Sequence, residues 1–334
     1  MAKAWNLRPA EPVTIEVGTL ELGTLPSVPK VLIACDMPIS FIEGMKRLGF
    51  DIIHNPDTNT HEIAKVIAEF DGLVVSTKSV VNREVIDAGQ KLRFIARAGS
   101  GMDTIDRQYA NEKGIATISS PEGNANAVAE HALGMLLSLF NHLNRADKQV
   151  RQGQWLREEN RGIEIKGKTV GIIGYGHTGM AFARKLAGFE ARVIAYDKYK
   201  SGFSDQFATE VLEEDIFRES DVLSVHIPLT QETHHLVNAG FISRFAKPFY
   251  FINTARGGVM KTDDVVDALR TGKILGACLD VLEDETNPKS YEWFKALIAM
   301  DNVVLTPHIA GWTHESRERI GQVLLRKIGA IAMT

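Results

Sequence analysis

From Val31 onward, short apolar runs alternate with stretches whose apolar positions recur at helical spacing. The runs Val31–Ala34, Asp51–His54, Leu73–Ser76, Phe94–Arg97 and Ile115–Ile118 have the length of strands. Between them lie helix-like stretches such as Ile39–Leu48, His61–Phe70 and Arg83–Ala88. A long helical pattern then runs from about Asn126 to Gln152, through Val128, Leu133, Leu136, Leu139, Leu143 and Val150. A second series follows: Thr169–Ile173, Ala191–Tyr196, Val222–His226, Phe249–Ile252, Gly276–Asp280 and Val303–Leu305. One more helix is expected from roughly Glu315 to Ile328. Repeated strand–helix units predict an α/β protein with parallel sheets covered by helices on both faces. The last helix is too small to form a domain alone, so it is expected to pack back on the first domain. The domains would then be residues 1–125 plus 309–334, and residues 126–308. Residues 1–30 stand apart as a proline-rich extension in which Val13, Ile15 and Val17 alternate with polar residues, suiting a short strand or arm.

Composition changes this picture little, but it excludes some classes. The 334 residues are 44% hydrophobic and 24% charged, ordinary values for a folded chain of two domains. A formal net charge of −4 leaves no basic excess to neutralise phosphates, so no nucleic-acid partner is expected. The N-terminus lacks the apolar core of a signal peptide, and no apolar run is long enough to span a membrane. Cys35 and Cys278 are the only cysteines and lie far apart inside apolar runs. Buried, reduced thiols and a cytoplasmic location are therefore expected.

The chemistry concentrates at strand ends. After the run Val170–Ile173 the chain reads Gly174-Tyr175-Gly176-His177-Thr178-Gly179, then a helical stretch, then an apolar run ending on Asp197. Glycines at this spacing allow a tight turn and close approach to a pyrophosphate, whose charge the helix N-terminus holds. Asp197 would accept hydrogen bonds from both hydroxyls of an adenosine ribose and repel a 2′-phosphate, which selects NAD. Lys198 and Lys200 lie just beyond it and would soften that choice. Three later strand ends are unusually polar: Asn253–Gly258 with Arg256, Asp280 with Glu283 and Glu285, and Thr306-Pro307-His308. An Arg to hold a carboxylate, a His to exchange a proton and an acid to orient the His suit oxidation of a hydroxy acid. His131, inside the long helical pattern, is expected to be structural or interfacial, and His234 and His235 to face solvent. No metal-ligand set emerges.

At these residues the chain resembles the D-isomer-specific 2-hydroxyacid dehydrogenases, most of all the short phosphoglycerate dehydrogenase-type members. The resemblance covers about residues 31–330. It rests on Ala98–Asp103, Asn126–His131, the glycine unit, His226–Thr230, Asn253–Gly258, Leu279–Val281 and Thr306–Gly311. It implies two Rossmann-like or flavodoxin-like parallel-sheet domains with a cleft between them, and a homodimer built around the long helix. It implies Arg256 on the substrate, His308 in proton transfer and Glu285, rather than Glu283, behind the His. Asp280 would meet the nicotinamide end of NAD, and His226, Pro228, Thr254, Ala255 and Gly311 would line the rest of its crevice. Ser100 and Gly101 match the loop that binds the substrate carboxylate. Lys78, Arg97 and Trp312 fall where substrate identity is decided. Lys78 replaces an Arg of many relatives, Asn141 replaces another, and Trp312 a small residue, so binding of a phosphorylated substrate such as 3-phosphoglycerate is an open expectation. The alternative is a dinucleotide-sensing corepressor on the same scaffold. Formate dehydrogenase, a closer rival, would carry Gln in place of Glu285.

Overall fold

In the computed structural model, which describes residues 28–332, the strands form two separate parallel sheets. The N-terminal extension, including the alternation at Val13, Ile15 and Val17, lies outside the described residues. The first sheet contains β1 (Lys30–Ala34), β2 (Asp51–His54), β3 (Gly72–Val75), β4 (Phe94–Arg97) and β5 (Ala116–Ile118), ordered β2-β1-β3-β4-β5. The second contains β6 (Thr169–Ile173), β7 (Arg192–Tyr196), β8 (Thr209–Glu210), β9 (Val222–Val225), β10 (Phe249–Asn253), β11 (Ile274–Leu279) and β12 (Val303–Leu305). Its order is β12-β11-β10-β9-β6-β7-β8.

Burial explains the strand pattern. Central parallel strands are covered on both faces, so every residue of β3, β4 and β9 is buried and they read as apolar runs rather than alternations. The edge strand β2 is mostly exposed and begins on Asp51, which discourages pairing with another chain. Each sheet has a core on both faces. In the first sheet, Leu324 and Ile328 of helix His314–Ala332 pack with Val31, Phe41 and Val74. The C-terminal helix thus returns to the first sheet.

The long helical pattern is two helices, Pro121–Phe140 and Leu143–Arg151. The first begins earlier than the apolar periodicity suggests, with proline in its first turn. It ends where the Asn141 side-chain amide donates to Leu137 O (3.1 Å) and His142 turns left-handed at φ +51°. Apolar positions continue in phase across the break, which hides it from periodicity alone. Helix Pro121–Phe140 packs on helix His177–Leu186 of the second sheet and on the C-terminal helix of the first, tying the two sheets together. Cys35 and Cys278 are buried and unpaired.

Candidate active site

Parallel sheets gather their functional groups at the carboxyl ends of strands. Here the loops after β4, β9, β10, β11 and β12 face one cleft between the sheets, a cavity of about 1320 Å³ lined from both sides. Arg256, just past β10, reaches across it: its Nε donates to Asp103 Oδ2 (2.7 Å) and its Nη1 to Ala255 O (2.6 Å). The Nη2 group lies against Gly101, where a Cβ would come within 1.4 Å of it. The guanidinium is thereby laid along the Ser100–Gly101 loop, whose two N–H groups have no partner among the described residues. Gly257 permits this placement, because a Cβ there would sit 1.8 Å from Leu282 O on the loop carrying Glu285.

His308 lines the same cleft from the loop after β12. Its Nδ1 is 2.8 Å from Glu285 Oε2. A carboxylate accepts, so this contact places the proton on Nδ1 and leaves Nε2 for exchange with a ligand. Glu283 is occupied elsewhere: it accepts from His235 Nε2 (2.6 Å) and Thr262 N (3.0 Å). His235 is consequently half-buried and held by Glu283 rather than facing solvent as the sequence suggested. His308 sits at φ +55°, a strained conformation that its neighbours enforce. Asp280, buried at the end of β11, does most of this. Its Oδ1 accepts from Thr306 Oγ1 (2.6 Å) and Ile309 N (2.9 Å), its Oδ2 from Ala310 N (2.9 Å), and its carbonyl from His308 N (2.7 Å). His131 completes the network from helix Pro121–Phe140, with Nε2 3.0 Å from Thr306 Oγ1. Asp280 lines the cleft, but its carboxylate is filled by the loop that bears His308.

At the glycine unit, Gly179 packs so closely that a Cβ would lie 2.2 Å from Gly174 O. Helix His177–Leu186 starts there without a side-chain cap, so its first N–H groups are left for an anion. Among the described residues nothing lies within 4 Å of a Cβ placed on Gly176, and Gly176, His177 and Thr178 line the cleft. The Tyr175 side chain points away: its ring is buried, stacks on Phe203, and its hydroxyl donates to Asp205 (3.0 Å). Asp197 stands at the end of β7, beside the unit, its Oδ2 accepting from Tyr175 N (2.8 Å) and its Oδ1 from Tyr199 N (3.0 Å). Two buried polar atoms lining the crevice, Thr254 Oγ1 and His226 Nδ1, have no partner among the described residues. An uncapped helix start, open space at Gly176, orphaned polar atoms and a ribose-sized acid fit a dinucleotide.

Burial pushes His226 down to about 4. The unfolded chain then binds a proton that the folded one refuses, so stability falls as pH drops below about 6.5 toward 4. Between pH 7 and 5 this group accounts for a loss of about 2 kcal/mol. Urea unfolding of His226→Gln at both pH values is expected to show a loss smaller by that amount; equal losses would contradict the buried neutral imidazole.

Pro228, Ala255 and Gly311 line the same cleft. On the first-sheet side, Lys78 is exposed at the rim and Arg97 is buried, its Nη1 donating to Ala98 O and its Nε unpartnered. Burial, with Arg256 nearby, brings Arg97 down to about 10. Trp312 is 77% exposed at the mouth. Asn141 is not among the cleft residues. Asp103, which ends the Ala98–Asp103 stretch, joins the site only through Arg256, 153 residues away in the chain.

Residues 133–310 match the family model "D-isomer specific 2-hydroxyacid dehydrogenase, NAD binding domain". The chain belongs to this family. It is an NAD-dependent dehydrogenase of 2-hydroxy acids. Among its relatives, the hydroxypyruvate reductase of Thermotoga maritima is 39% identical over 80% of this chain and 86% of that protein. The D-3-phosphoglycerate dehydrogenase of Archaeoglobus fulgidus is 34% identical over 90% of this chain, which spans only 56% of that enzyme. The solved structure of Aquifex aeolicus D-lactate dehydrogenase complexed with NAD and lactic acid aligns with a TM-score of 0.77 at 29% identity, covering 90% of this chain and 94% of that one.

Proposed function

We propose that this dehydrogenase interconverts a small 2-keto acid and its D-2-hydroxy acid, with hydroxypyruvate or a 2-keto acid of similar size as substrate. The observation carrying this reading is that Arg256 and the Glu285–His308 pair line one cleft. Bound at the glycine unit, NAD supplies the hydride acceptor or donor. Arg256 holds the substrate carboxylate and polarises the C2 oxygen, exchanging its contact to Asp103 for the ligand. The N–H groups of Ser100 and Gly101 take the other carboxylate oxygen. His308 Nε2 gives the proton to the C2 oxygen in reduction and takes it in oxidation, and Glu285 stabilises the imidazolium between the two. Asp280 acts as a positioning residue for His308. Gly174, Gly176, His177, Thr178 and Gly179 would hold the pyrophosphate, Asp197 the adenosine ribose, and His226, Thr254 and Ala255 the nicotinamide half.

Residues 1–125 with 309–334 form the substrate domain in this reading, and 126–308 the nucleotide domain, with closure of the cleft excluding water. Exposed Leu143, Val150, Trp155 and Ile163 around helix Leu143–Arg151 support a homodimer at that face. The two buried unpaired thiols support a reducing, cytoplasmic setting. A second reading, phosphohydroxypyruvate with 3-phosphoglycerate as its reduced partner in a coupled route, is favoured by Lys78 and buried Arg97 at the cleft. NADH oxidation across glyoxylate, hydroxypyruvate, pyruvate, 2-ketoglutarate and phosphohydroxypyruvate separates them. The primary reading predicts the highest kcat/KM with hydroxypyruvate or glyoxylate; the highest value with phosphohydroxypyruvate would replace it by the second.

A further inference from the structure

Two lysines follow Asp197, and a free cation at such a position would receive a 2′-phosphate on the adenosine ribose. Neither is free. Lys200 Nζ donates to Tyr175 O (2.8 Å). Lys198 Nζ is ion-paired with Glu232. The other oxygen of Glu232 accepts from Tyr199 OH (2.6 Å), and Tyr199 N donates to Asp197 (3.0 Å). Glu232 lies in the segment after β9, Lys198 and Tyr199 in the segment after β7, and β6 stands between those strands. The contacts therefore join the segments after β7 and β9 on either side of β6, where strand order reverses, next to Asp197. Lys198 and Tyr199 hold the Glu232 carboxyl below its ordinary range, so it is ionised at neutral pH.

We infer that Glu232 is a cofactor-specificity residue: by pairing with Lys198 and Tyr199 it withdraws the cation a 2′-phosphate needs. The inference rests on the assignment of NAD to this crevice. It gives a chain with two lysines after its ribose acid a means of selecting NAD, and it makes selectivity depend on a residue 35 positions beyond Asp197 in the chain.

Binding of NADH and NADPH, measured by calorimetry on the wild type, Glu232→Gln and the double variant Lys198→Met/Glu232→Gln, tests it without relying on turnover. Glutamine keeps the size and the acceptor for Tyr199 but releases Lys198. In Glu232→Gln the Kd for NADPH is expected to fall about tenfold, the effect of one freed charge on a phosphate. The Kd for NADH is expected to stay within about twofold, since that cofactor lacks the phosphate. The double variant should lose the gain, because the released cation is gone. An unchanged ratio of the two Kd values in Glu232→Gln overturns the inference. So does equal tightening of both cofactors, which would make Glu232 an obstruction rather than a selector. Failure of the wild type to bind either cofactor would overturn the NAD assignment together with it.

Discussion

Replacing His308 by Asn is expected to lower kcat about 10³-fold while leaving the Kd for NADH within about twofold. Asparagine tolerates the left-handed conformation better than other residues, so the substitution removes the imidazole without forcing the loop out of its φ of +55°. The Asp280 hydrogen bonds to Ile309 N and Ala310 N are backbone contacts and survive. What disappears is the Nδ1 contact to Glu285 and the exchangeable proton on Nε2. A reductase without a proton source must leave an alkoxide to water, which the closed cleft excludes. Stopped-flow binding of NADH beside steady-state turnover checks both halves. Near-normal kcat, or a collapse of NADH binding matching the loss of turnover, would move His308 out of proton transfer.

The second large effect falls on Arg256. Arg256→Gln is expected to reduce kcat/KM by about 10³-fold, on the order of 4 kcal/mol of transition-state stabilisation, with KM rising as well. Arg256→Lys should recover only part of this, because a lysine has one point charge where the guanidinium offers a fork. Arg256→Gln leaves Asp103 without its ion pair, but Asp103 is a third exposed and water can solvate it, so folding is preserved. Double substitution with Asp103→Asn separates the roles. If Asp103 merely parks Arg256 in the free enzyme, Asp103→Asn alone changes kcat/KM little, whereas Arg256→Gln is severe with or without it. A kcat/KM that stays within threefold in Arg256→Gln would remove this residue from substrate recognition.

Much of the architecture was legible because parallel strands declare themselves. β3 and β9 are buried on both faces and read as uninterrupted apolar runs, and the glycine unit follows β6 where a phosphate-binding turn belongs. The two-residue β8 left no pattern to read, since Thr209 and Glu210 sit at the sheet edge. The break at Asn141–His142 was invisible because Leu139, Leu143 and Val150 keep helical phase through it. A single side-chain amide and a left-handed residue decide it. Within the site, Arg256, Glu285 and His308 each follow a strand and could be picked out locally. Asp103 could not: its partner lies 153 residues away on the other sheet. Tyr175 shows the opposite limit. Its place in the glycine unit says nothing of its ring, which belongs to the core through Phe203 and Asp205. Asp280 shows what a strand-end acid conceals: besides lining the cleft, its carboxylate accepts from three groups of the loop that carries His308, which the sequence does not reveal.

In the proposed function, one cleft joins an NAD site to an Arg–His–Glu set that reduces a 2-keto acid from a defined face. The direct measurement is the chirality of the product formed when the enzyme oxidises NADH with hydroxypyruvate. The account predicts that hydroxypyruvate is turned over and that the product is D-glycerate alone. Formation of L-glycerate, or an absence of NADH oxidation with every 2-keto acid in the panel, would contradict it.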